Sequence, residues 1–275
     1  MSTHPVLVIG ATGKVGRRVV TGLSSLGRVA RPAGRNTALP FDWQDRSNWP
    51  EHFAGVETAF VSYYPDLAAP GADEDIKALI AIAKAAGLKR MVLLSGRGEA
   101  GAAHCEAILQ NSGLGYTILR AAWFNQNFSE GHLWPGVMSG MIALPAGERL
   151  EPFIDVDDIA EVAVAALTDD RHHNQHYELT GPRLMTFADA AGEIAAASGL
   201  PVAYAPISLD MFHAGVSAEM GTDAADMLTA LCAEVFDGRN ERLNDGVERA
   251  LGRKPRDFAD FCRAAAQSGA WQKAA

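Results

Sequence analysis

Short, uninterrupted apolar runs alternate with segments of helical periodicity through the first two thirds of the chain. Val6-Leu7-Val8-Ile9 is continuously apolar, the mark of a strand buried on both faces. From Lys14 to Leu26, the residues Val15, Val19, Val20, Leu23 and Leu26 recur at helical spacing. Val29-Ala30 and Ala38-Leu39-Pro40-Phe41 read as weaker second and third strands, and Thr58-Ala59-Phe60-Val61 as a fourth. A helix from about Asp73 to Ala86 puts Ile76, Leu79, Ile80 and Ala83 on one face and stops at Gly87. Met91-Val92-Leu93-Leu94 is a fifth strand, Gly101 to Gln110 a helix, and Tyr116-Thr117-Ile118-Leu119 a sixth strand. Strands alternating with helices pair in parallel through right-handed crossovers, so the pattern predicts an α/β fold with a doubly wound parallel sheet.

Beyond Ala121 the pattern changes. Residues 121–153 carry Trp123, Phe124, Phe128, Trp134 and Phe153 among Gly, Pro and Asn, with little periodicity. Asp158 is placed to cap a helix over Ile159 to Leu167; His176 to Leu179 is another short strand and Phe187 to Ala197 another helix. From Leu209 onward the chain is mostly helical. There is no internal repeat and no hydrophilic linker. The organisation predicts a core over residues 1–122 and a small, mainly helical lobe over 123–275, with core elements returning at about 153–180.

Composition narrows the function classes. Apolar residues at 48% and charged ones at 21% fit a folded globular chain and not a disordered one. A net charge of −9 argues against a nucleic-acid partner, because phosphate neutralisation supplies most of that affinity. No run approaches the length of a membrane helix, and the apolar stretch before Gly10 is too short for a signal-peptide core. Three widely spaced cysteines, Cys105, Cys232 and Cys262, make neither a disulfide framework nor a zinc pattern, so the expectation is a reducing cytoplasm. The charge is also unevenly spread. Six of the 24 basic residues and none of the 33 acidic ones precede Asp42, so the first 41 residues carry +6 and the remainder −15.

The basic segment coincides with a motif. Gly10-Ala11-Thr12-Gly13-Lys14-Val15-Gly16 follows the first strand directly and opens the first helix. That is the setting of a dinucleotide loop, in which glycines allow a tight turn and backbone N–H groups reach a pyrophosphate at the positive helix end. About 20 residues further on, an NAD-preferring site offers a carboxylate to the ribose 2′-hydroxyl. Here the segment reads Arg28-Val-Ala-Arg31-Pro-Ala-Gly-Arg35, with Arg31 and Arg35 where a 2′-phosphate would sit. Arginine suits phosphate through its fork of donors, so NADP(H) is the expected cofactor. Arg17 and Arg18 stand at the start of the same helix. Asp42 can accept from an adenine amino group; a helix-capping role for Asp42 or Asp45 is the alternative.

The glycine loop, MVLLSG, HCEAILQNSGLGYTILRAAWFNQNF, FIDVDDIAEVAVAAL and HYELTGP occur in that order across residues 5–205. Together they resemble the NmrA-like branch of the atypical short-chain dehydrogenase/reductases. The tail, LTALCAEVFDGRN and GRKPRDFADF, is similar to a bacterial subgroup related to the ergot-alkaloid dehydrogenases and to NAD(P)H quinone and azo reductases. The resemblance implies a Rossmann core, with Gly10, Thr12, Gly13 and Gly16 on the pyrophosphate beside Lys14 and Val15. It also implies Arg35 or Arg31 as the basic position after strand two. Ser62 and Tyr63 fall where the cofactor ribose passes, Ser95 ends strand five, and Ala121 to Asn125 follow strand six near the nicotinamide.

One departure from the wider superfamily is informative. No Tyr-x-x-x-Lys pair occurs; the helix after strand five has His104 in roughly the tyrosine's place and Ile108 in the lysine's. Tyr116-x-x-x-Arg120 lies on a strand, where residues four apart are too distant to cooperate. Without a strong acid pair, hydride goes most readily to a quinone, an iminium or imine, an azo group or a conjugated carbonyl, because a simple ketone generates an alkoxide. His104, Tyr63 and Asn125 are the candidate catalytic groups, and Tyr64, Trp123, Phe124 and Asn127 the candidate substrate wall. His172, His173 and His176 cluster without a ligand pattern, so no metal is expected. Cys105 has no partner pattern for nucleophilic catalysis. The expected partner is a small-molecule substrate, with no nucleic acid or membrane and a homodimer left open. The reading is an NADPH-dependent oxidoreductase; the alternatives are a non-catalytic NADP(H)-sensing regulator or an isomerase or epimerase with bound cofactor.

Overall fold

The computed structural model describes residues 4–272. The chain runs β1 (Val6–Ile9), α1 (Lys14–Ser25), β2 (Ala30–Ala33), α2 (Trp49–Phe53), β3 (Thr58–Val61), α3 (Ala72–Ala85), β4 (Arg90–Gly96), α4 (Ala100–Gln110) and β5 (Gly115–Ala121). It continues through α5 (Asn127–Glu130), α6 (Trp134–Ser139), β6 (Met141–Leu144), α7 (Val156–Thr168), β7 (Gln175–Leu179), α8 (Phe187–Ser198) and β8 (Ala203–Pro206). The last elements are α9 (Leu209–Met220), α10 (Thr222–Val235), α11 (Gly246–Leu251) and α12 (Phe258–Gln267).

Six strands form one parallel sheet in the order β2-β1-β3-β4-β5-β7. All four residues of β1 are fully buried, as a continuous apolar run in a two-sided sheet requires. Successive side chains point to opposite faces. Val6 and Val8 join Val15, Val19, Leu23, Ile159 and Ala163 under α1 and α7. Leu7 and Ile9 join Trp49, Phe53, Ile76, Leu79 and Leu109 under α2, α3 and α4. Among the described residues, no helix is long and apolar enough to cross a membrane.

A third apolar cluster forms the lobe, built on Phe128, Phe153, Phe187, Phe236 and Phe258. Its rings meet edge to face, as in Phe153–Phe187 at 5.1 Å and Phe128–Phe258 at 5.6 Å, the arrangement aromatic quadrupoles favour. The chain enters the lobe after β5, returns for α7 and β7, and leaves again for α8 to α10. It comes back with α11, which packs on β7 and α7, and ends in the lobe with α12 against α8.

Three expectations are corrected. Ala38 to Phe41 is a loop: Phe41 N–H donates back to Gly34 O at 3.1 Å, the Thr37 hydroxyl binds Leu39 O, and Pro40 has no donor for a ladder. The second strand is Ala30–Ala33, and Val29 lies outside it, 64% exposed. Asp158 is not the cap of α7. That role belongs to Asp155, whose carboxylate accepts from Asp157 N at 2.8 Å. Asp158 is instead fully buried, accepting from Arg253 Nη2 at 2.7 Å, Arg256 N at 2.7 Å and the Arg256 guanidinium. The aromatic stretch after β5 also holds an unforeseen element, since β6 pairs in parallel with β8 as a separate two-stranded sheet.

Candidate active site

Because the sheet strands are parallel, the loops after β1, β2, β3, β4 and β5 all emerge at one edge. The chain goes one way from β1 to β2 and the other way to β3, which opens a crevice above β1 and β3, the usual place for a ligand in such sheets. The glycine loop floors it. Gly10 sits at φ +81°, and Gly13 N–H donates to Gly10 O at 2.9 Å. A Cβ on Gly16 would stand 2.1 Å from Gly10 O, so the turn closes only with glycine there. Gly13 caps α1 with no side-chain bond, and the first turn of α1 carries no acidic residue. The free N–H groups and the positive helix end therefore fit a pyrophosphate.

The two arginines diverge. Arg31 lies within β2 and donates to His52 O at 2.9 Å and Ala54 O at 2.6 Å, so its fork caps the C-terminal end of α2 and is not free for phosphate. Arg35, beyond the end of β2, is exposed, forms no ion pair among the described residues, and lies 4.8 Å over the Tyr64 ring. Tyr64, 61% exposed, thus stands with Arg35 and away from the aromatic wall assigned to substrate. Arg17 and Arg18 are engaged by Glu130, with Arg18 also on Asp157 at 2.5 Å. Asp42 and Asp45 close short turns onto Gln44 N at 3.0 Å and Ser47 N at 2.9 Å, so neither caps a helix.

Of the expected catalytic groups, Tyr63 is committed to a hydrogen bond and His104 lies at the surface. Tyr63 donates its hydroxyl to Asp75 Oδ2 at 2.7 Å and packs on Trp43; burial, then Asp75, pushes its ionisation well above the usual tyrosine range. His104 faces outward with 61% of its side chain exposed, 3.7 Å from Asp73 on α3. The buried face of α4 is Ala102, Cys105, Glu106 and Leu109, and His104 falls outside it. Cys105 donates to Leu67 O at 3.5 Å, and burial pushes its thiol up to about 11, so it is no thiolate. Ser62 follows β3, its N–H on Ile9 O at 3.2 Å, beside Gly10.

Glu106 explains the chemistry beside His104. Its carboxylate, 1% exposed, accepts from Ser95 Oγ at 2.6 Å and from Arg120 Nε and Nη2 at 2.8 Å and 2.5 Å. Ser95 and Glu106 therefore weld α4 to β4 and β5 as a structural network, whose bidentate pair is the strong form of such a contact.

Past β5, Trp123 turns into the lobe. Its ring meets Phe236 at 5.2 Å, Phe187 at 5.4 Å and His132 at 5.8 Å. Phe124 turns the opposite way and packs on the cluster under α1 and α7, so it is not part of that wall. Asn125 N–H donates to Ile154 O at 2.9 Å, while neither polar atom of its fully buried amide has a partner. Asn127 begins α5, nine-tenths buried. His132, absent from the sequence reading, meets the Trp123 ring edge-on and feels the charge of Lys14. Its ring is exposed, and desolvation, with the Lys14 ammonium adding to it, shifts its pKa downward. Burial also lowers Lys14, against the opposing pull of Glu130. Among the described residues, no group of three His, Cys, Asp or Glu side chains is placed to hold a metal ion.

A carboxyl pair after β3 and β4 was also not foreseen. The Glu99 carboxyl folds back over Gly96, where a Cβ would lie 1.9 Å from its Oε2, and it faces Asp66. Burial raises both acids, and for Glu99 the charges of Asp66 and Glu234 add to it, so the pair holds a proton near neutral pH. A raised carboxyl pKa gives stability that is complete below the ordinary carboxylate range and is lost as pH rises through the folded value. Glu99→Gln should therefore raise Tm by a few degrees at about pH 8 and change it little at about pH 5. Thermal melts at the two pH values decide this, and a gap of equal size at both would remove the shared proton.

With this geometry in view, the comparisons with known proteins are specific. The model of a family described as NAD(P)H-binding matches residues 10–170. The chain is 32% identical to the uncharacterized oxidoreductase YesF of Bacillus subtilis (strain 168), over 98% of each chain. It is 31% identical to the NAD(P)H azoreductase of Xenophilus azovorans over 94% of this chain and 97% of that one. It is 30% identical to the agroclavine dehydrogenase of Claviceps fusiformis over 93% and 95%. Among solved structures, the Citrobacter sp. triphenylmethane reductase complexed with NADP(H) superposes with a TM-score of 0.77 at 20% identity, covering 95% of this chain and 99% of that one; the fold is shared.

Proposed function

The chain belongs to the NAD(P)H-binding family, and on that premise we propose that it is an NADPH-dependent oxidoreductase acting on a small apolar electrophile: a quinone, an imine or iminium, an azo compound or a conjugated carbonyl. The observation that carries this reading is a dinucleotide cradle, Gly10 to Gly16, sharing one sheet edge with Trp123, a partly buried ring backed by the buried Phe187 and Phe236 of the lobe, with no Tyr–Lys pair on α4.

When bound, the cofactor supplies the hydride. The chain's own residues hold and orient. The N–H groups at the start of α1 take the pyrophosphate, with Lys14 beside them, and Arg35 takes the 2′-phosphate with Tyr64 beneath it. Trp123, held from behind by Phe187 and Phe236, offers an apolar face to a flat acceptor. Asn125 offers an uncommitted donor and acceptor to a polar atom of the bound pair. Three buried, free cysteines fit a reducing compartment and support a cytoplasmic location.

Purified protein should bind NADPH and oxidise it with at least one of a quinone, an azo dye and a cyclic imine. Intact binding with no turnover of any of the three would turn the reading to a cofactor sensor. Arg35→Ala should cut the preference for NADPH over NADH by about 10- to 100-fold, on the scale of a lost charge-assisted bond. Arg31→Ala should keep the preference and lower Tm. Dissociation constants for both cofactors test the pair, and a preference that follows Arg31 would reassign the phosphate site.

A further inference from the structure

The stretch after β5 reaches back to α1, although β3 and β4 separate β5 from β1 in the sheet. Glu130 ties it there by holding Arg17 and Arg18, the latter at 3.0 Å. Gly131 comes next and lies against Lys14, the first residue of α1. A Cβ on Gly131 would stand 2.8 Å from Asn127 Cα and 2.9 Å from Lys14 Cε, so glycine is what lets the lysine stem pass. The following residue, His132, meets the Trp123 ring at 5.8 Å. Lys14 therefore links the two parts of the site. Its backbone belongs to the glycine cradle, and its stem reaches the residue next to the ring packed on Trp123.

The ammonium at the end of that stem is uncommitted. Lys14 is half-buried, yet it forms no hydrogen bond and no ion pair among the described residues. Glu130, whose charge reaches it, is already held by the two arginines. A cation that has lost part of its water and has no counter-ion gains most from an anion placed beside it. Hydride transfer creates such an anion. A quinone or conjugated carbonyl that accepts hydride is left with an oxyanion, whereas an iminium is left neutral. No Tyr–Lys pair on α4 stands ready to meet the new charge.

We propose that the Lys14 ammonium holds the oxyanion formed by hydride transfer, and that the preferred acceptors are quinones and conjugated carbonyls in place of iminium ions. This rests on the reductase reading above. The acceptor gains hydride, with its two electrons, at one carbon from the reduced nicotinamide, and the displaced π pair settles on its oxygen. Lys14 donates an N–H to that oxygen. Water then protonates it and leaves hydroxide, and NADPH ends as NADP⁺.

The test compares the full chain with Lys14→Met, which keeps the stem and removes the charge. In the cofactor-free protein the probe is 4-nitrophenol, whose coloured phenolate stands in for the oxyanion. Bound to the wild type, it should ionise about one pH unit lower than in water, a roughly tenfold gain for the anion. That shift should disappear in Lys14→Met and persist in Lys14→Arg. With saturating NADPH, single-turnover rates are measured for a neutral quinone and for an N-alkyl iminium. Their ratio, quinone to iminium, should fall about 100-fold in Lys14→Met, the scale of a lost oxyanion donor, and recover in part in Lys14→Arg. A ratio taken within each variant removes any change in NADPH affinity. Nitrophenol that ionises alike in wild type and Lys14→Met, or a ratio that moves less than about twofold, overturns the proposal and leaves the reductase reading standing. A wild-type protein that shifts nitrophenol and reduces neither acceptor overturns both.

Discussion

Replacing Gly16 by alanine should weaken NADPH binding by more than about 100-fold, equivalent to about 2.7 kcal/mol. The added Cβ would lie 2.1 Å from Gly10 O, 2.7 Å from Gly10 C and 3.0 Å from Ala11 Cα, and all three are backbone atoms. No rotamer change relieves such a contact. Either the start of α1 or the β1 turn must move by an ångström or more, and the N–H groups that meet the pyrophosphate move with it. Gly13→Ala is the internal control. Its φ of −75° suits any residue, and its Cβ would meet one atom, Gly10 O, at 3.2 Å, so the loss should be several-fold smaller. Fluorescence titration of both variants with NADPH separates the two. Equal affinities would mean that the loop does not approach the cofactor.

The second large effect is on stability. Asp158→Ala should cost about 3 kcal/mol, the scale for breaking a buried ion pair, and lower Tm by about 10 °C in a chain of this size. Its carboxylate, fully buried in the first turn of α7, is where the connection between α11 and α12 is tied to the core through Arg253 and Arg256. Glu161 holds the same two arginines from a half-exposed position, at 2.5 Å each, so Glu161→Ala should cost less than half as much. Urea denaturation gives the comparison. A cost for Asp158→Ala no larger than that for Glu161→Ala would show that the buried carboxylate is not the anchor.

What could be read from sequence follows the range of the interaction. The continuous run of β1, the glycine loop and the amphipathic stripes of α1 and α3 are set by neighbours within a few residues, so periodicity reveals them. The pairing of β6 with β8 is not of that kind, since the strands have four residues each and lie some 60 positions apart. Ala38 to Phe41 reads as a strand because it is apolar, yet the burial there belongs to Phe41 stacked on Trp49 at 5.4 Å and not to a ladder. His104 lies off the inward face of α4 that Ala102, Cys105 and Leu109 define, so periodicity places it at the surface and leaves its role open. Glu99 and Glu106 had no such signal. Surface glutamates look identical in sequence, and only tertiary contacts decide which of them lose their water.

The repeated passage of the chain between sheet and lobe has a consequence for modularity. A fragment ending near residue 122 would leave β5 as an open edge, because β7, encoded more than 50 residues later, is the strand that covers it. It would also lose α7, which fills one face of the sheet. Cutting out or exchanging the lobe as a cassette would therefore expose that edge and that face. On the proposed reading, substrate preference is altered by point changes around Trp123 and not by exchange of the lobe.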